Sequence, residues 1–157
     1  MEDILMDEVT NNAGDGLQEY LIFTVGSTDF GVDIRLVEEI IEIQPVFKIP
    51  NSLGFCKGII NIRGKIVPVI DMRIKLGFDG ADYDERASII VVMLNSEQIG
   101  MMVDRVQDVI RISEEDLKDL PLGTGEEKES YVAKISCIDD RINQILDMES
   151  LFEADAV

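Results

Sequence analysis

Apolar residues in this chain gather in short runs rich in Val, Ile and Leu, spaced for strands rather than for long helices. Residues 20–25 form one strand, Gly26-Ser27-Thr28-Asp29 turns, and residues 30–34 return. Between 35 and 43 two periods compete. Positions 36, 37, 40 and 41 share a helical face, while 37, 41 and 43 suit a strand, so a short helical turn running into a strand is expected. Pro45 and Pro50 then break regular structure. Residues 59–62 and 65–70 flank Arg63-Gly64 and read as a hairpin. Pro68 cannot donate to a ladder, which makes its position an edge, a bulge or a strand end. Residues 72–76 give one helical turn stopped by Gly77, and 79–85 is a polar link between halves. Strands follow at 88–94, 99–103 and 106–112, with a turn at 95–98. Ser113 with Asp116 three residues on starts a short helix through Lys118. After a loop at 120–129, residues 131–138 and 142–146 make a last hairpin, and 148–152 a terminal helical turn.

The two halves resemble each other. Residues 20–43 laid over 89–112 match Ser27/Ser96, Gly31/Gly100, Val37/Val106, Ile41/Ile110 and Ile43/Ile112, with Leu36 over Arg105 the clear exception. Residues 59–72 over 135–148 match Ile59/Ile135, Ile62/Ile138, Ile66/Ile142, Asp71/Asp147 and Met72/Met148. Two copies of a three-strand-plus-hairpin unit explain both blocks in one order. A unit of ~65 residues buries too little alone, so the halves are expected to share a core. Small β-units of this size close into barrels, which removes exposed edges. The expected fold is therefore mostly β: two small barrels packed together around a shared core, with short helices and a groove between them. The first barrel is placed at residues 19–80 and the second at 86–152, with strand exchange between them left open. Residues 1–18 hold five acids and no base and read as a disordered acidic arm, and 153–157 as a frayed tail.

Charge narrows the partners. The chain carries 32 acidic and 14 basic residues, a formal charge of −18. Nucleic acid and anionic membrane surfaces are repelled by such a chain, which leaves proteins. Five of the basic residues (Lys57, Arg63, Lys65, Arg73 and Lys75) fall on the first hairpin and its helical turn, a local reversal of sign that marks a contact site. No apolar run reaches the ~18 residues a membrane span requires, and nothing at the amino terminus directs export, so a cytoplasmic protein is expected. Cys56 and Cys137 read as buried free thiols, with one disulfide as the alternative. Catalytic groups are scarce. There is no histidine, no nucleophile elbow and no phosphate-cradling glycine loop; Gly123-Thr124-Gly125 runs into Glu126-Glu127. Asp139-Asp140 and Glu126-Glu127 are the closest candidates for a Mg²⁺-dependent enzyme, and both fall in expected turns, where solvated charge is the simpler reading. No metal or cofactor is expected.

Several motifs now converge. Phe30-Gly31-Val32-Asp33-Ile34, Val37-Glu38-Glu39-Ile40, Lys57-Gly58-Ile59-Ile60 and Asn61-Ile62-Arg63-Gly64-Lys65-Ile66-Val67-Pro68-Val69-Ile70-Asp71 resemble, in order and spacing, the CheW family of bacterial chemotaxis coupling proteins over residues 19–152. The resemblance implies a non-enzymatic cytoplasmic adaptor of two five-stranded SH3-like barrels. Its implied partners are the cytoplasmic tip of chemoreceptors and the regulatory domain of the histidine kinase CheA, with other copies in rings left open. By motif match, receptor contacts fall to Val37, Glu39 and Arg63, with Ile34, Ile99 and Val106 beside them; kinase contacts are assigned to Lys57, Ile66 and Lys118. Val37 also superposes on Val106, so core packing competes with contact there, and Glu39 is equally readable as a solvated face. An adaptor of a sister pathway serving pili, gliding or development is the alternative function. The resemblance also implies a chain without the receiver domain of CheV or the phosphotransfer and ATP-binding domains of CheA.

Overall fold

The computed structural model describes residues 16–50, 54–79, 82–119, 131–138 and 140–153. Eleven strands run through the described residues: β1 Leu17–Val25, β2 Thr28–Asp33, β3 Val37–Glu42, β4 Cys56–Ile62, β5 Lys65–Asp71, β6 Ser88–Leu94, β7 Glu97–Val103, β8 Arg105–Ser113, β9 Leu117–Lys118, β10 Val132–Ile138 and β11 Arg141–Leu146. Two short helices, α1 Met72–Lys75 and α2 Met148–Glu153, follow β5 and β11. The strands form a six-stranded sheet, β8-β1-β2-β11-β10-β9, and a five-stranded sheet, β3-β6-β7-β5-β4. By its contacts the chain divides into a first unit (residues up to Ile22, Thr28–Arg35 and Gln107 onward) and a second (Phe23–Ser27 and Leu36–Val106). The polar link at 79–85 lies inside the second unit.

The repeat explains both sheets. A shift of 69 carries β1 to β3 onto β6 to β8, and a shift of 76 carries β4, β5 and α1 onto β10, β11 and α2. Neither sheet is a single copy, however. Each joins the first two strands of one copy to the hairpin of the other through a parallel pairing, at Gly31↔Ile145 in one and Gly100↔Val69 in the other. These are the same repeat positions. The second unit's interior is Ile60, Ile62, Val67, Val69, Ile89, Val91 and Met102, with Ile41, Val46 and Tyr83 packed against it. The first unit's is Tyr20, Ile22, Ile112 and Ile145, with Ile110, Leu117 and Ile138 against it.

Closure of the second unit depends on a glycine. Beyond β3, Phe47 exchanges two backbone hydrogen bonds of 2.9 Å with Ile59 of β4, so the ends of the five-strand order are drawn together. Gly58, at φ 142°, makes this approach feasible: a β-carbon there would stand 2.1 Å from Phe47 O. Pro68 is accommodated by the same bridge. It lies opposite Ile59, whose polar groups face Phe47, and the ladder to β7 starts one residue later at Val69. A proline inside an interior strand thus forfeits no ladder bond.

Local expectations fare unevenly. The competing periods at 35–43 resolve as a 3-10 turn, Ile34–Leu36, running into β3. Residues 72–76 form α1, capped by Asp71, which accepts from the Arg73 and Ile74 N–H groups, and Gly77 follows at φ 87°. The helix expected to run from Ser113 through Lys118 is instead a 3-10 turn, Glu114–Asp116. Ser113 makes no backbone cap, and Leu117 and Lys118 gain strand partners in Ser136 and Ile135. Strand β1 starts at Leu17, within the stretch read as the arm, and Glu153 closes α2. Residues 1–15 of the expected arm, the loop at 120–129 and tail residues 154–157 lie outside the described residues. Both cysteines are free thiols, but neither is buried: Cys56 is half-buried on β4 and Cys137 exposed on β10, because each faces away from its unit's interior.

Candidate functional site

The strands of the second unit have two ends with different chemistry. The hairpin end carries the β4–β5 and β6–β7 turns; the opposite end carries α1 and Tyr83. At the hairpin end Arg63 and Gly64 take φ 49° and 88°, two positive values that define a type I′ turn, and Asn61 Oδ1 accepts from the Gly64 N–H at 2.8 Å. That turn projects Arg63, 73% exposed, toward β3. Its guanidinium grips Glu39 through both terminal nitrogens, one at 3.4 Å from Oε1 and the other in close contact with Oε2. The Glu39 hydrogen bond, followed by its charge, raises the Arg63 pKa, so the guanidinium stays charged.

A β-bulge aims Glu39. Val37 pairs with Val92 but Glu39 pairs with Val91, so the extra residue, Glu38, inverts the alternation. Val91 belongs to the interior cluster, and Ile41, two residues beyond Glu39, packs on that cluster. Glu39 therefore stands over the rim of the interior, while Val37 lies on the opposite face with Val92 and its register partner Ile99. Val37 is buried and Ile99 half-buried. On the surface the displaced Glu38 accepts from Gln98 Nε2 at 2.5 Å. The repeat reproduces this contact with the groups exchanged: Gln107 Nε2 donates to Asp29 Oδ1 at 2.7 Å, with Arg141 beside both. The Glu39–Arg63 pair has no such copy, since the equivalent positions are Asp108 and Asp139.

The other expected residues scatter. Ile34 is buried in the first unit's 3-10 turn, and Val106 lies half-buried on β8, outside the sheet that carries Val37, Glu39 and Ile99. Lys57 and Ile66 occupy opposite ends of the second unit. Ile66 is 62% exposed beside the hairpin turn, lining a shallow depression of about 440 Å³ with Lys65, Met93 and Gln98. Lys57 sits at the α1 end, 3.7 Å from Asp71 Oδ2 and 5.7 Å from the Tyr83 ring centre. Lys118 is exposed on β9 of the first unit. These three do not form one surface within a unit.

Several organising residues had no sequence signal of their own. The Tyr83 hydroxyl donates to Asp71 Oδ1 at 2.5 Å and accepts from the Arg73 N–H at 3.2 Å, and the Arg73 guanidinium lies 4.7 Å from its ring centre. Burial first, then the Asp71 hydrogen bond, pushes the phenol well above its usual range. Arg73 Nε also donates to Asp104 Oδ2 at 3.0 Å, which accepts from the Gly26 N–H at 2.7 Å. Only the isolation of Tyr83 between Asp82 and Asp84 hinted that the polar link is pinned. This end opens on a depression of about 630 Å³ lined by Ile43, Val46, Ile49, Ile74, Lys48 and Lys57 among others.

Among the described residues no cluster of three or more His, Cys, Asp or Glu side chains is placed to hold a metal ion, and no helix is long and apolar enough to cross a membrane. Two small sheets, one drawn closed through Phe47 and Ile59 and carrying an ion pair at a hairpin tip, define a small β-scaffold. The CheW-like domain family matches residues 19–156. The chain is 35% identical over 138 residues to the chemotaxis protein CheW of Klebsiella aerogenes, covering 88% of this chain and 83% of that one. Its identity to the probable chemotaxis protein CheW of Rhizobium etli is 30% over 147 residues, covering 94% and 95%. The crystal structure of the scaffolding protein TtCheW from Thermoanaerobacter tengcongensis superposes with a TM-score of 0.80 at 32% identity, over 87% of this chain and 92% of that one. The chain belongs to the CheW-like family, a family of chemotaxis scaffolds rather than enzymes.

Proposed function

We propose that this protein is a cytoplasmic adaptor that couples chemoreceptors to the histidine kinase CheA, holding both at the inner face of the membrane through its partners. The observation that carries this reading is the Glu39–Arg63 pair, a charged pair mounted on a type I′ turn, with Ile99 half-buried in the same sheet. An apolar anchor bordered by oriented charge is the usual anatomy of a moderate-affinity protein interface. In this reading the receptor tip meets Glu39 and Arg63 at the hairpin end, with Ile99 and Val37 as their apolar neighbours in the same sheet.

Kinase binding falls to other surfaces. Ile66 and its repeat equivalent Ile142 are 62% and 59% exposed, each preceded by a base, Lys65 or Arg141. Two quasi-equivalent apolar anchors suit a partner built of similar units, such as the regulatory domain of CheA or another copy of the chain. Lys57 and Lys118 are secondary contacts. The test is sedimentation of purified protein with a receptor cytoplasmic fragment and the kinase regulatory domain from one organism. A ternary complex at micromolar concentration is expected, and failure to bind either component refutes the assignment.

A further inference from the structure

The two units share five aligned interior positions. Tyr20 and Ile22 repeat as Ile89 and Val91, Ile110 as Ile41, Ile138 as Ile62, and Ile145 as Val69. In the second unit the adjoining pair is Ile60 and Val67, directly opposed on β4 and β5, 1% and 0% exposed and both in the apolar cluster. The repeat places Ser136 and Asn143 at those positions in the first unit. They too are directly opposed, on β10 and β11, and are 0% and 4% exposed. Ser136 Oγ and Asn143 Oδ1 are both buried without a hydrogen-bond partner.

Burying polar atoms unpaired is costly, and native interiors pair them with protein or with enclosed water. The chemistry at this layer sets what can bind. An amide oxygen accepts and a hydroxyl both donates and accepts, so the ligand must be small, neutral and able to donate to Asn143 while donating to or accepting from Ser136. Ser136 and Asn143 together have one side-chain atom fewer than Ile60 and Val67, whereas Tyr20, Ile22 and Ile145 are larger than their counterparts Ile89, Val91 and Val69, so the ligand must fit between these two side chains alone.

We propose that the first unit encloses one ordered water, hydrogen-bonded between Ser136 Oγ and Asn143 Oδ1. The site is an internal hydration layer belonging to this unit alone, since the second unit fills the same place with hydrocarbon. The test is oxygen-17 magnetic relaxation dispersion on the full chain, which counts long-lived internal waters. It compares the natural protein with Ser136→Ile/Asn143→Val, the second unit's own residues. The variant is expected to lose one long-lived water and to unfold at a higher temperature; an unchanged water count overturns the proposal. Should that variant not fold, Asn143→Leu offers the same readout. A crystal structure of the natural chain decides independently. A solvent peak about 2.7–3.2 Å from both atoms supports the site, and a direct Ser136–Asn143 hydrogen bond with no peak refutes it.

Discussion

The Tyr83 hydroxyl donates to Asp71 Oδ1 at 2.5 Å, and this contact ties the polar link to the first turn of α1. Asp71 simultaneously caps the helix and lies 3.7 Å from Lys57, so its carboxylate is shared among three structural elements. Hydrogen bonds to a charged acceptor contribute about 1.5–3 kcal/mol. Tyr83→Phe is therefore expected to cost about 2 kcal/mol in denaturant unfolding. Asp71→Ala should cost more, since the cap is lost along with the phenol's partner.

Alkaline pH acts on the same contact. The folded-state pKa of Tyr83 is raised above its ordinary 10.0, and that of Tyr20 is raised too, mainly by burial. Each phenol therefore binds its proton more tightly folded than unfolded. The resulting stability is complete below pH 10 and is lost as pH rises above it. Unfolding midpoints measured between pH 9 and 11 should fall, and fall less steeply in Tyr83→Phe. Equal slopes would contradict the assignment.

Gly58 offers a steric test. An alanine there combines a φ of 142° with a β-carbon 2.1 Å from backbone oxygen, and backbone cannot yield as a flexible side chain can. The expected loss is at least about 3 kcal/mol, or some 6–12 °C in melting temperature at about 2–4 °C per kcal/mol for a chain of this size. Gly64→Ala has open space around it but also a positive φ, and should cost about 1 kcal/mol.

Strand positions and the repeat were legible because alternation and turn residues are local properties. Partner choice was not. Period-two patterning states which face of a strand is buried but not which strand lies beside it, so the exchange of hairpins between copies left no trace in the text of the chain. The bulge at Glu38 was equally silent. Val37 and Glu39, two apart, would share one face of an unbroken strand, and one inserted residue puts them on opposite faces. Arg63 and Glu39 were individually readable from the motif, whereas Lys57 and Ile66 on one hairpin lie at opposite ends because Lys57 stands near the start of β4 and Ile66 just after the turn, opposite Asn61.

The Glu39–Arg63 pair also admits a charge-exchange test. Glu39→Arg alone and Arg63→Glu alone should each weaken receptor binding, whereas the double exchange restores part of it if the pair's geometry contributes. Titration of a receptor fragment against all four proteins gives the coupling. Additive losses would mean that the two side chains act independently.

The central claim is that receptor and kinase bind separate surfaces of one scaffold. Its most direct test is calorimetric titration of Arg63→Glu against a receptor cytoplasmic fragment and, separately, the CheA regulatory domain, with thermal unfolding as the control. The account expects receptor binding to fall at least tenfold while kinase affinity and the melting temperature stay near those of the natural protein. Equal loss of both affinities, or loss of neither, would contradict it.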